Sequence, residues 1–296
     1  MRKHDITTDV VACLVRQQAP WLAGQGVEPV EVDGWDNSSF RVGDGHLARM
    51  PSADGYASAV AKEHQWLPVL APQLPVAVPE PVLHGKPGCG FPRPWSLYRW
   101  LPGQAASIDR VTDLQCFARD VASFLRALQA VDTSGGPLTG AHSFGRGGPL
   151  HAYDSDVHAC LPHLPADLDP AEVLGRWQGA LSSPYTGRPR WFHGDMSPSN
   201  LLVQDGRLYA VIDFGTCGVG DPACDLVLAW THLNDDALDT FRRVLDLDGD
   251  MWRRGQAWAL WKALRTLRDD DPAASVRRYG WRYDAVDIIR RITRAS

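Results

Sequence analysis

Along the first hundred positions, apolar residues come in short runs broken by polar ones, the spacing of half-buried strands rather than helices. Residues 30–35 and 40–42 read as strands. Gly43-Asp44-Gly45 then turns the chain into a third strand over 46–50, because glycine tolerates the positive φ of tight hairpin turns. From 57 to 70 the period lengthens to a helical one, with Val60, Leu67 and Leu70 on one stripe. Glu63 shares that stripe, and an inward-facing carboxylate needs a partner, since unpaired buried charge is costly. A proline-rich stretch leads to a further strand over 95–101, stopped by Pro102-Gly103.

Beyond this point the pattern is mainly helical. Thr112 and Gln115 have the spacing of a capping box, and Leu114, Phe117, Ala118, Val121, Leu125 and Leu128 continue at helical intervals. Further helices are expected over 154–160, 170–181, 222–234, 236–245, 251–267 and 283–294. With no repeat and no Gly/Ser linker, the chain reads as an α+β protein of two lobes. Residues 1–101 form a small β-rich lobe, and 102–296 a larger helical lobe carrying one β-hairpin.

Composition narrows the possibilities without naming one. The 296 residues are 44% hydrophobic and 22% charged, the balance of a folded chain with ample core. The net charge of -5, with no long basic run, disfavours a nucleic-acid partner, so an anionic ligand must be held by a local arrangement. Only four of the cationic residues are lysines, at positions 3, 62, 86 and 262. The six cysteines show no C-x-x-C pair or zinc spacing and read as reduced, mostly buried thiols. No signal-like start and no membrane-length apolar run is seen, so a cytoplasmic protein with no membrane partner is expected; oligomeric state is not legible.

The chemistry concentrates between 191 and 226. His193-Gly194-Asp195 is followed by Asn200 and then by Asp213-Phe214-Gly215. Two apolar runs between them flank Asp205-Gly206, a strong hairpin signal. Folding there returns Asn200 and Asp213 to one end of the hairpin, beside Asp195. Mg²⁺ prefers hard oxygen ligands and shares its shell with substrate phosphates, so Asn200 and Asp213 suit it. Asp195 can then orient a hydroxyl and accept its proton as it attacks phosphorus.

This segment resembles the aminoglycoside phosphotransferases and their protein-kinase-like relatives. His193 to Asn200 looks like their catalytic loop, Asp213-Phe214-Gly215 their metal-binding element, and Gly220-Asp221-Pro222 with Asp225-Leu226 the run that follows. The resemblance implies a two-lobed kinase-like fold and transfer of the γ-phosphoryl group of ATP or GTP to a small-molecule hydroxyl, with Mg²⁺. His193 orients the loop, Asp221 starts a helix and Asp225 anchors the loop. Nucleotide belongs to the small lobe, where residues 36–39, including Ser38 and Ser39, take the place of the phosphate-covering turn. Arg49 stands where protein kinases carry a lysine and is expected to contact the phosphates and pair with Glu63. Arg99, Trp100 and Leu101 take the place of the hinge that reads the base through backbone groups.

No long activation segment and no A-P-E follow Asp213, and Ser197 replaces the catalytic-loop lysine of protein kinases. Both features favour a small acceptor. By resemblance the later helices shape its site, and Asp235, Asp236 and Asp239 are candidates to receive a cationic antibiotic. Asp246, Asp248, Asp250 and 269–271 extend that acidic set, while the tryptophans, Trp230, Trp258 and Trp261 among them, suit a bulkier macrolide-like acceptor. A kinase for choline, homoserine or a sugar, or a non-catalytic nucleotide-binding regulator, are the alternatives.

Overall fold

A computed structural model of the chain describes residues 3–30, 36–269, 276 and 279–294. Its contacts separate two compact units, one reaching to Pro72 and resuming over Ala77–Pro102, the other comprising Gln73–Val76 and everything from Gly103 onward.

The first unit is built on a five-stranded antiparallel sheet of β1 (Val27–Pro29), β2 (Asn37–Val42), β3 (His46–Pro51), β4 (Pro81–Gly85) and β5 (Trp95–Arg99), ordered β1-β2-β3-β5-β4. The β2–β3 hairpin pairs Val42 with His46 across the glycine-bearing turn, in which Gly43 has φ +55°. Alternation along β2 sends Ser38, Phe40 and Val42 inward. Two helices belong to this unit, α1 (Thr8–Gln18) and α2 (Asp54–Leu70), and α2 buries Val60, Glu63, Leu67 and Leu70 as the stripe predicts. Of the strand expected over 30–35, Val30 bonds Ser39 without forming strand, and the remainder lies outside the described residues.

Helix α1 is an addition to the expected elements. Thr7 caps it through Val10 N, and Val11, Leu14 and Val15 bury one face in a core shared with Phe40, Met50, Trp95 and Leu97. Its packing also corrects the reading of the cysteines. Cys13 of α1 and Cys89, in the turn after β4, form a disulfide with Cα atoms 6.1 Å apart, whereas Cys116, Cys160, Cys217 and Cys224 are thiols. The bonded pair is 76 residues apart in sequence, so only the docking of α1 brings it together. Cross-links that close loops of this length typically stabilise by about 2–4 kcal/mol. The Cys13→Ser variant is expected to unfold at lower urea concentration, and reductant to shift wild type alone.

The second unit contains β6 (Gln104–Ala105), α3 (Leu114–Ala130), α4 (Asp154–Cys160), α5 (Pro170–Leu181), β7 (Arg190–Phe192), β8 (Leu201–Gln204), β9 (Arg207–Val211), β10 (Gly218–Gly220), α6 (Val227–Thr231), α7 (Asp235–Leu245), α8 (Gly249–Asp269) and α9 (Ala285–Arg294). β6, β8 and β9 make one antiparallel sheet, β7 and β10 a two-stranded one. Two local expectations change. Asp113, not Thr112, caps α3, accepting from Gln115 N and Cys116 N at 2.9 and 3.0 Å. The helix expected over 222–234 is instead a 3-10 segment, Pro222–Leu226, followed by the short α6. α6 ends where His232 leaves helical geometry and its ring meets Gly280 O.

Candidate active site

The hairpin forms as its sequence dictates. Asp205 and Gly206 both take positive φ, 51° and 76°, and a Cβ at position 206 would lie 2.4 Å from Thr112 Oγ1. The β8–β9 register sets Leu201 against Val211, and Ile212 N donates to Asn200 O at 2.9 Å. Asn200 and Asp213 are thereby held at the same end of the hairpin. Asp213 itself sits in left-handed geometry, φ 69°, one that aspartate tolerates better than most residues. Asp195 meets Asn200 directly, since Asn200 Nδ2 donates to its Oδ2 at 3.1 Å and to its carbonyl at 2.9 Å.

The loop that presents Asp195 is fixed from beneath. Asp225, fully buried, accepts from His193 N and Gly194 N, both at 2.7 Å. Burial pushes its carboxyl up to about 6, against the neighbouring His193 and the two amide donors. His193 Nδ1 accepts from Asp195 N at 3.2 Å while Nε2 lies 3.0 Å from Ile212 O. Both ring nitrogens thus engage the backbone of the loop and of the hairpin end, an orienting role. Gly194 has φ +86°, and a Cβ there would approach Thr216 O and Oγ1 at 3.0 Å.

A further cation reaches the site. Lys262 Nζ, from α8, donates to Asp195 Oδ1 at 2.8 Å and to Ser197 Oγ at 3.2 Å. Burial alone would raise the Asp195 carboxyl, but Lys262, then Arg146 and His193, hold it down to about 2. Its side chain is 39% exposed, which leaves it open to an acceptor. Lys262 went unnoticed in the sequence, where Ser197 marks only a missing lysine. The available signal was a lysine on the α8 stripe that also carries Arg254, Trp258 and Trp261.

Asn200 and Asp213 fit a hard divalent cation. The carboxamide spends its Nδ2 on Asp195, so Asn200 Oδ1 is the atom left for a metal, alongside a carboxylate. Within the described residues no group of three or more His, Cys, Asp or Glu could hold a metal.

In the first unit, Arg49 Nη1 lies 3.5 Å from Glu63 Oε1, both largely buried, giving the inward carboxylate its partner. Tyr98, buried on β5, donates to Glu63 Oε2 at 2.5 Å, a contact that the pattern of β5 did not announce. Burial and the Glu63 charge raise the Tyr98 hydroxyl well above its ordinary value. Ser38 and Ser39 are placed within β2, opposite Met50 and Arg49, and not in a turn. The segment before them, 31–35, lies outside the described residues. Of the residues expected at the hinge, Arg99 N is used by Glu80 O and Trp100 N by Gly45 O, so neither amide is open to a base. Asp235, Asp236 and Asp239 occupy the exposed first turns of α7, where a helix N-terminus favours carboxylates, and Asp235 pairs with Arg291 at 2.8 Å. Asp248 caps α8 through Met251 N, Asp250 meets Arg253 and Ser183, and Asp269 meets Arg265 and Arg268.

An ionised, partly open carboxylate near two side chains that suit a hard cation fits a phosphotransferase-type centre. The pattern of the phosphotransferase enzyme family, APH, matches residues 26–274, and the chain belongs to that family. Among solved structures, the GDP and kanamycin complex of APH(2")-IIia is similar at 22% identity and a TM-score of 0.70, over 96% of both chains. The macrolide 2'-phosphotransferase MphH from Brachybacterium faecium is similar at 20% identity and 0.64, over 98% of both chains. The streptomycin–ATP complex of APH(2")-IIa is similar at 15% identity and 0.61, over 97% of this chain and 96% of that one. These likenesses show the kinase-like α+β fold. No curated protein matches the chain. Among the described residues, no helix is long and apolar enough to cross a membrane.

Proposed function

We propose that this chain is a Mg²⁺-dependent O-phosphotransferase that moves the γ-phosphoryl group of ATP or GTP to a hydroxyl of an antibiotic, aminoglycoside-like or macrolide-like, and so confers resistance in the cytoplasm. The observation that carries the reading is the joining of Asp195, Asn200 and Asp213 at one end of the β8–β9 hairpin. Its neighbours support the acceptor class, since they are complexes or enzymes of kanamycin, streptomycin and macrolides.

The residues divide the work. With one carboxylate oxygen on Lys262 and the other on Asn200, Asp195 has a fixed direction in which to receive the acceptor hydroxyl. A carboxylate held near 2 is a weak base, so it orients the hydroxyl first and takes its proton late, once bonding to phosphorus has acidified it. Asn200 and Asp213 would hold Mg²⁺, which when bound offsets charge on the phosphates. Arg49, steadied by Glu63 and Tyr98, is the phosphate contact of the first unit, Ser38 and Ser39 lie across the sheet from it, and the Leu101 amide meets the base. Replacing Arg49 with Ala is expected to weaken nucleotide binding roughly 10–100-fold, the scale of a hydrogen bond to charge. Titration calorimetry checks this, and unchanged affinity would remove Arg49 from the site.

The function is tested by incubating the chain with Mg²⁺, ATP or GTP, and in turn kanamycin, streptomycin, a macrolide, choline and homoserine. Diphosphate release stimulated by an antibiotic is the expected result. Stimulation by choline or homoserine alone would replace the acceptor class, and nucleotide binding with no transfer to any acceptor would favour the regulator.

A further inference from the structure

The segment that carries the chemistry brings almost no positive charge of its own. Between residues 191 and 226 the single lysine or arginine is Arg207. It sits beside the hairpin turn, at the opposite end from Asn200 and Asp213, and both its Nε and Nη2 are engaged by Asp120 at 2.7 Å. Phosphoryl transfer spreads negative charge over three equatorial oxygens, and catalysis depends on fixed positive groups aimed at them.

Helix α8 supplies such a group. An ammonium has three N–H donors, and Lys262 gives one to Asp195 Oδ1 and one to Ser197 Oγ. The third makes no hydrogen bond among the described residues, and the nitrogen lies 5.2 Å from the ring centre of Tyr279 and 5.9 Å from that of Trp281. Gly280, between those two residues, lies against the catalytic loop, since a Cβ on it would come within 3.2 Å of Pro198 Cβ. Two turns earlier on α8, Arg254 grips Asp221 with Nε 2.7 Å from Oδ2, and Trp258 and Trp261 are buried, so the backbone under Lys262 is fixed. Arg146, which also acts on Asp195, lies 4.8 Å from the Trp261 ring centre. A hydroxyl bonded to Asp195 and about 3–3.5 Å from phosphorus puts the transferred group within reach of a four-carbon stem already touching that carboxylate.

Resting on the phosphotransferase reading, we propose that Lys262 is the phosphoryl-binding cation of this centre. Its ammonium waits on Asp195 and Ser197 and donates to an equatorial oxygen of the γ-phosphoryl group during transfer. The acceptor oxygen–phosphorus bond forms as the bond from phosphorus to the bridging oxygen breaks. The hydroxyl proton passes to Asp195, and the electron pair leaves on the nucleoside diphosphate.

The test needs no acceptor. Calorimetry compares wild type, Lys262→Met and Lys262→Gln for Mg²⁺ with GDP or ADP alone, and for the same diphosphate with aluminium fluoride, which mimics the group in flight. Gln can still hydrogen-bond Asp195 but lacks the charge, so it separates phosphoryl binding from mere positioning and stands in if the Met variant does not fold. Both variants are expected to bind the diphosphate within about twofold of wild type, and the fluoroaluminate complex roughly 10–100-fold more weakly. Equal fluoroaluminate affinity in wild type and Lys262→Gln overturns the Lys262 role alone. No nucleotide uptake by wild type overturns that role together with the phosphotransferase reading.

Discussion

Replacing Asp195 with Asn lowers kcat by about 10²–10⁴-fold, the usual contribution of a positioned proton acceptor, while nucleotide affinity stays within about twofold of wild type. The separation follows from the contacts. Asp195 is held by Lys262 and by Asn200, and the part of its side chain left exposed is where an acceptor must arrive. An amide in its place can still hydrogen-bond a hydroxyl but cannot take the proton. Steady-state kinetics beside calorimetry reads both quantities. A large loss of nucleotide affinity would mean that Asp195 belongs to the metal site instead.

The largest stability effect is expected at Arg254→Ala. Arg254 and Asp221 side chains are each 6% exposed and joined at 2.7 Å, and Asp221 also caps the 3-10 segment through Ala223 N. Burial raises the Asp221 carboxyl, opposed chiefly by the Arg254 contact, so without the guanidinium a buried acid is left stranded. Removing one partner of such a pair costs about 3–5 kcal/mol. Urea unfolding should show that loss. A change below about 1 kcal/mol would mean that Asp221 finds another partner. The same bond fixes α8, so a properly folded fraction of Arg254→Ala should also transfer phosphoryl groups more slowly.

Local chemistry in the sequence foretold much of this fold. The helix over 170–181 has the bounds read from its pattern, and Asp205-Gly206 makes the turn its dipeptide demands. Gly43 likewise turns β2 into β3. Elements that depend on distant packing were hidden. α1 has a regular apolar stripe, yet it lies beside the strand pattern that dominates the first hundred residues, and its disulfide depends on docking across 76 positions. Tyr98 looks like an ordinary strand aromatic until the fold sets it on Glu63.

The candidate site divides along the same line. Asp195, Asn200 and Asp213 come from one short stretch whose hairpin is set by its Asp205-Gly206 turn. Lys262 arrives from 67 residues further along, and nothing near Ser197 in sequence points to it. Backbone groups were equally silent, for the side chains of Arg99 and Trp100 do not tell that their amides are already bonded to Glu80 and Gly45.

Phosphorus NMR on the antibiotic found active in the panel tests the central claim most directly, following the γ-phosphorus of Mg²⁺-bound triphosphate in wild type, Asp195→Asn, Asn200→Ala and Asp213→Ala. Wild type is expected to convert this signal into a phosphomonoester on the antibiotic, and each variant to lose most of the conversion. Phosphomonoester formation at the wild-type rate in Asp195→Asn or Asp213→Ala would contradict the claim.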